Sequence, residues 1–125
     1  MVLTAHITPG HTKGCTSWTG AFKTGGQVRQ ALFICSVSVL STYRLVGDPK
    51  YPNQATDYAA TFATLKSLPC ELFLAAHGSM FDMLNKRKTM DAQPGTNPFV
   101  DPAGCKRFLD AGEAEFKRRL AQTKG

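Results

Sequence analysis

The sequence predicts an α+β domain: one mostly antiparallel sheet with amphipathic helices covering one of its faces. Three observations lead there. Runs rich in Thr, Val and aromatics crowd the chain up to Val37, helical spacing dominates from Asn53 onward, and only one short apolar run, Glu71 to Ala76, interrupts the helices. A length of 125 residues suits a single domain, 1–125, large enough to bury a core. With 42% hydrophobic and 19% charged residues the composition excludes a disordered or fibrous chain.

The elements follow in order. Val2 to Ile7 alternates loosely and predicts a strand, ended by Thr8-Pro9-Gly10. Cys15 to Phe22 predicts a second strand and Gln27 to Val37 a third, joined through Thr24-Gly25-Gly26 as a hairpin. Ser38 to Pro52 carries Gly47-Asp48-Pro49 and Tyr51-Pro52 and reads as loop. The first helix is expected from about Asn53, a cap, to Leu68, because Ala55, Tyr58, Ala59, Phe62 and Leu65 recur at helical spacing and Pro69 stops it. Glu71 to Ala76 fits a buried strand. A brief helix from Met80 to about Lys88 follows His77-Gly78-Ser79, and Thr89 to Val100 is expected as an exposed loop. Asp101-Pro102, a cap and a first-turn proline, opens a last helix with Cys105, Phe108, Leu109, Gly112, Phe116 and Leu120 on one face. Helices on one side leave the other sheet face bare. Either that face is polar, or the chain is half of a larger sandwich.

The net charge of +6 permits anionic partners without requiring them. Lys86-Arg87-Lys88 and Lys117-Arg118-Arg119 border apolar helix patterns and read as solvated faces. No aromatic-studded groove or reading helix accompanies them, so no nucleic-acid partner is expected. Ala31 to Leu40, the longest apolar stretch, has ten residues and two serines, against the ~20 residues that cross a bilayer. The start, MVLTAHITPG, lacks the basic and apolar segments of a signal peptide.

The most informative stretch is Thr8-Pro9-Gly10-His11-Thr12-Lys13-Gly14. A histidine between glycines in a strand-to-strand loop has ring nitrogens free of packing, as a metal ligand requires. His77, just before Gly78 at the end of the Glu71 to Ala76 strand, occupies a matching place, and two such loops could converge. Leu3 to Thr19 (LTAHITPGHTKGCTSWT) closely resembles the third histidine motif of metallo-β-lactamases. Phe33 to Val39 (FICSVSV) and Tyr51 to Met83 resemble the continuation of the same family. The resemblance is to the third subclass of class B and extends over nearly the whole chain, weakest around Thr89 to Asn97.

The resemblance implies the C-terminal half of an αββα sandwich. It makes His11 a ligand of the first of two zinc ions and His77 a ligand of the second, and it sets Ser36 and Ser38 at the substrate carboxylate. It also implies a β-lactam antibiotic as substrate, opened by a zinc-bound hydroxide in the complete enzyme. From spacing alone, Ser36 and Ser38 stand i, i+2 on a strand end and should point the same way. His6 lies inside a strand and reads as structural. The family's other ligands come from an H-x-H-x-D-H motif that these 125 residues do not contain. Two of six ligands cannot make a catalytic zinc site, so the chain alone is expected to be inactive, with the N-terminal half as a candidate partner. An exposed sheet face would favour association.

The subclass often joins the positions of Cys70 and Cys105 by a disulfide, which implies an oxidising compartment, the periplasm for the family. Cys15 and Cys35 lie on the two arms of the predicted hairpin and read best as buried free thiols. A second disulfide and a zinc site built from His11, Cys15, Cys35 and His77 are the alternatives, although that spacing matches no ribbon or finger. Two other functions compete with the lactamase reading. A thioester or lactone hydrolase of the same superfamily would need an aspartate at the strand end that here reads Cys35-Ser36; a small basic binding protein would leave the Gly-His-Thr-Lys-Gly context as coincidence.

Overall fold

The computed structural model describes residues 1–123. Strands β1 (Leu3–Ile7), β2 (Thr16–Thr24) and β3 (Gln27–Ile34) are followed by helix α1 (Gln54–Ser67) and strand β4 (Leu72–Ala75). A 3-10 turn (Gly78–Phe81), α2 (Met83–Ala92) and α3 (Pro102–Gln122) complete the chain. The sheet runs β1-β2-β3-β4, antiparallel except for the parallel β3–β4 pair. Gly25 and Gly26 both hold positive φ, as the tight hairpin turn between β2 and β3 requires.

Cross-strand register divides the sheet into two unlike faces. Thr4, Thr19, Leu32 and Phe73 form one row across all four strands. Leu32, Ile34 and Phe73 on that face pack with Tyr58, Phe62 and Leu65 of α1 and with Leu109 and Phe116 of α3 to make the core. The opposite face carries the rows Leu3–Gly20–Ala31–Leu72 and Ala5–Trp18–Phe33–Leu74. Those two rows are apolar on every strand, with Thr16, Thr24, Gln27 and Arg29 on the same face beyond them, and Leu3 (45%), Ile7 (66%) and Trp18 (41%) are open to solvent there. The middle of that face is therefore apolar, not polar. Its β4 side is not wholly bare: Met83, Leu84 and Met90 of α2, with Phe99, wall an apolar groove of about 610 Å³ over Phe33 and Leu74.

Several expectations need correction. The third strand stops at Ile34, not Val37, because the Cys35 N–H leaves the ladder to donate to the Ser17 hydroxyl at 3.0 Å. The penultimate helix is not a short Met80 to Lys88 segment followed by loop. Asp82, at φ 56°, divides the 3-10 turn from α2, which continues to Ala92 before Pro94-Gly95. Asn53 precedes α1 without a side-chain capping bond, whereas Asp101 does cap α3, accepting from the Gly104 N–H at 2.9 Å. The basic runs are solvated at Arg87, Lys88, Lys117 and Arg118 but not at Lys86. Lys86 is buried, its Nζ 2.9 Å from Asp101 and over the rings of Phe73, Phe81 and Phe99. Lys117 and Arg118 pair with Glu113 and Glu115 on their own helix.

Cys15 and Cys35 are not free thiols: they are disulfide-bonded, with Cα atoms 5.8 Å apart, as are Cys70 and Cys105 at 6.6 Å. The local reason is register. The β2–β3 hairpin sets the residue before β2 beside the residue after β3, a contact that spacing along the chain does not reveal. The bonds close loops of sequence separation 20 and 35, each expected to contribute about 3–4 kcal/mol by constraining the unfolded chain. Urea unfolding with and without a reductant should therefore show a loss of at least ~3 kcal/mol; an unchanged midpoint would mean the bridges add nothing to stability.

Candidate functional site

Strands β1, β3 and β4 end, and β2 begins, at the same end of the sheet. Topology thus brings together the β1–β2 loop with His11, the segment after β3 with Ser36 and Ser38, and the turn after β4 with His77. The chain reaches this arrangement through local signals: Pro9-Gly10 breaks β1, and His77 is extended at the mouth of the 3-10 turn.

The His11 loop is held from three sides. Its stem is closed by Thr8 N–H to Cys15 O at 2.8 Å, by a 2.8 Å hydroxyl bond between Thr8 and Ser17, and by the Cys15–Cys35 disulfide. From beneath, α1 presents Gln54, Tyr58 and Thr61, one turn apart on its buried stripe. Gln54 Nε2 donates to Gly10 O at 2.9 Å and Thr61 Oγ1 to Pro9 O at 2.6 Å. Tyr43 Oη donates to His11 O at 2.6 Å. Tyr51, at the rim below Lys13, donates to Asp57 at 2.8 Å; burial, then that hydrogen bond, push its hydroxyl up to about 12.

The His11 ring is oriented by one bond, Nδ1 to the Ser38 carbonyl oxygen at 2.8 Å. A carbonyl only accepts, so Nδ1 carries the proton and the Nε2 lone pair stays free, the form a metal-binding imidazole needs. The same Ser38 oxygen accepts from Tyr58 Oη at 2.6 Å. Ser36 and Ser38 stand in different surroundings. Ser36 is buried and its hydroxyl accepts from the Ser38 N–H at 3.2 Å, whereas Ser38 is exposed. The chain has left strand geometry by this point, so the i, i+2 argument for a common direction fails. His6 behaves as read, its Nε2 2.8 Å from the Thr19 hydroxyl within the sheet. His77 is exposed, and its side chain caps nothing.

Among the described residues no group of three or more His, Cys, Asp or Glu side chains could hold a metal ion. The four-residue His/Cys alternative is removed as well, since both its cysteines are in a disulfide. His11 and His77 are two imidazoles at one end of the sheet, and no reaction step follows from these residues alone. Sequence reasoning missed Gln54, Tyr43, Tyr58, Thr61 and Arg119, the last donating from α3 to the carbonyls of Val39 and Leu40. A signal existed for three of them. Residues 54, 58 and 61 place polar tips at i, i+4, i+7 on a stripe that is otherwise apolar, which marks buried hydrogen bonds to neighbouring backbone.

No protein-family model matches the chain. Solved structures do. The native FEZ-1 metallo-β-lactamase from Legionella gormanii superimposes with a TM-score of 0.94 at 42% identity, covering 98% of this chain and 46% of that one. BJP-1, a subclass B3 metallo-β-lactamase of Bradyrhizobium japonicum, matches at 0.87 and 39% identity, with 98% and 46% covered. MEM-A1, a subclass B3 enzyme from a soil metagenome library, matches at 0.83 and 28% identity over 96% and 46%. The chain spans about half the length of each.

Proposed function

This chain has the fold of one half of a subclass B3 metallo-β-lactamase, and we propose that it is the C-terminal half of a zinc-dependent β-lactam hydrolase. Residues 1–125 form one partial domain, His11 and His77 contribute one ligand to each of two zinc ions, and Ser38 with Ser36 borders the substrate carboxylate. In the complete enzyme the zinc ions supply Lewis acidity and a nucleophile at neutral pH, with antibiotic resistance the result. The contribution of this chain is to hold two imidazoles at one sheet end. The observation that carries the reading is the His11 ring held through Nδ1 by the Ser38 oxygen at the end of the sheet where the His77 turn also emerges. The apolar outer face agrees with it, being the surface on which a second sheet would pack. Two disulfides suit the periplasm. No helix of the described residues is long and apolar enough to cross a membrane.

The test is a single-chain fusion of this polypeptide to the unmatched half of FEZ-1. Bound zinc would be read by elemental analysis and hydrolysis by the absorbance of a chromogenic cephalosporin. The chain alone should retain less than one zinc and hydrolyse nothing. The fusion should bind two, and His11→Ala in the fusion should lose one zinc and at least ~100-fold in rate. A folded fusion that binds no more zinc than the chain alone defeats the reading.

A further inference from the structure

We propose that Tyr58 is a positioning residue for His11, acting through the carbonyl oxygen that both side chains share. The Ser38 oxygen has two lone pairs. One receives Tyr58 Oη–H at 2.6 Å and the other His11 Nδ1–H at 2.8 Å. Because tyrosine comes from a rigid helix and the carbonyl from an irregular segment, the tyrosine sets where the carbonyl points. The carbonyl in turn selects the imidazole tautomer.

The tyrosine is well placed to impose that order. It is fully buried, and its ring stacks on Phe116 of α3 with centroids 5.2 Å apart. The ring also packs so closely under the backbone of Gly10 that a Cβ there would lie 2.8 Å from it. Burial, with the neighbouring Tyr43 and Tyr51, pushes its hydroxyl far above the ordinary value, so it remains a donor at any physiological pH. One side chain therefore touches both the loop that carries His11 and the carbonyl that orients its ring. Arg119 steadies the same irregular segment from α3. The last helix thus reaches the site through Phe116 and Arg119 without contributing a ligand.

The importance of a free Nε2 rests on the zinc reading above, but the tautomer can be measured without it. The experiment is nitrogen-15 NMR of the zinc-free chain at about pH 8.5, where imidazoles are neutral. His11 should be mainly Nδ1–H, while His77, whose side chain caps nothing, should show the Nε2–H form that free histidine prefers. Tyr58→Phe keeps the ring and removes only the hydroxyl. It should move the His11 tautomer ratio toward Nε2–H by about three- to tenfold, the equilibrium equivalent of one net hydrogen bond. Phe62→Leu perturbs the same core without touching the carbonyl, and should leave that ratio where it was. A wild-type His11 found mainly as Nε2–H would overturn the proposal, as would equal shifts in the two variants. Failure of the fusion to take up zinc would defeat the functional reading and leave the positioning result intact.

Discussion

Gly10→Ala is expected to destabilise the protein by about 2–4 kcal/mol, an unusual cost for one added methyl group. Two effects combine. Gly10 holds φ +138°, a conformation costing other residues of order 1–3 kcal/mol. The new Cβ would also lie 2.8 Å from Cγ and Cδ1 of Tyr58 and 3.2 Å from its Cα. Overpacking of that kind costs about 1–3 kcal/mol when the neighbour cannot retreat, and this ring is wedged against Phe116. The strain would fall on the loop carrying His11, so amide exchange of residues 9 to 15 should accelerate more than that of β4. Gly14, four positions away, is the control: its φ is unexceptional and its Cβ would meet nothing within 4 Å. Gly14→Ala should stay within about 0.5 kcal/mol of the parent. Equal urea midpoints for the two variants would refute the close approach between loop and helix.

The second large effect is expected at Lys86 and Asp101. Asp101→Asn keeps an acceptor for the Gly104 N–H but strands the Lys86 ammonium among three aromatic rings. Lys86 is buried but Asp101 is about a quarter exposed, so losing this charge-assisted bond is expected to cost about 1.5–3 kcal/mol. Substituting the lysine as well, Lys86→Met with Asp101→Asn, removes the buried charge and should restore most of the loss, so the double-mutant cycle should be strongly non-additive. Two singles that simply add would show that the ion pair is not coupled. A pH dependence follows. Burial pushes the Asp101 carboxyl up, but the Lys86 ammonium and the Gly104 N–H outweigh it and hold the group below the usual carboxylate range. The stabilisation is therefore present above the unfolded value of about 3.9 and is lost as pH falls through the lower folded value. Asp101→Asn should lack that share of acid sensitivity. Asp110, lowered to about 2 by Lys106 and Lys66, and the lowered Glu71, Glu113 and Glu115 will leave the remainder in place.

Much of the fold was legible because it is written in short-range pattern. Ala55, Tyr58, Phe62 and Leu65 mark α1 by spacing alone, Gly25-Gly26 marks the hairpin, and Asp101-Pro102 marks the start of α3. Errors occurred where a distant partner overrode the pattern. Gln27 to Val37 looks like one continuous strand, but the Ser17 hydroxyl and Cys15 draw Cys35 out of the ladder. Lys86 looks like part of a solvated basic run, but Asp101, 15 positions on, accepts its charge in an aromatic pocket. At the site, His11 could be singled out from its glycines. The carbonyl that orients it comes from 27 positions away, and the tyrosine that fixes that carbonyl lies 20 beyond.

From the residues in order one can read the element types, the apolar stripes of α1 and α3, the exposed histidine loop and the resemblance to a zinc hydrolase half. The elements and stripes depend on i, i+2 and i, i+4 relations that survive in any compact arrangement, and the resemblance on motif residues contiguous in the chain. Four features exist only once β2 and β3 are paired and α1 and α3 are seated on the sheet. These are the Cys15–Cys35 bond, the burial of Ser36 beside an exposed Ser38, the apolar rows on the outer sheet face, and the shared oxygen that ties Tyr58 to His11. Each depends on residues that meet through strand register or close packing, and chain spacing carries no information about which surfaces will face one another.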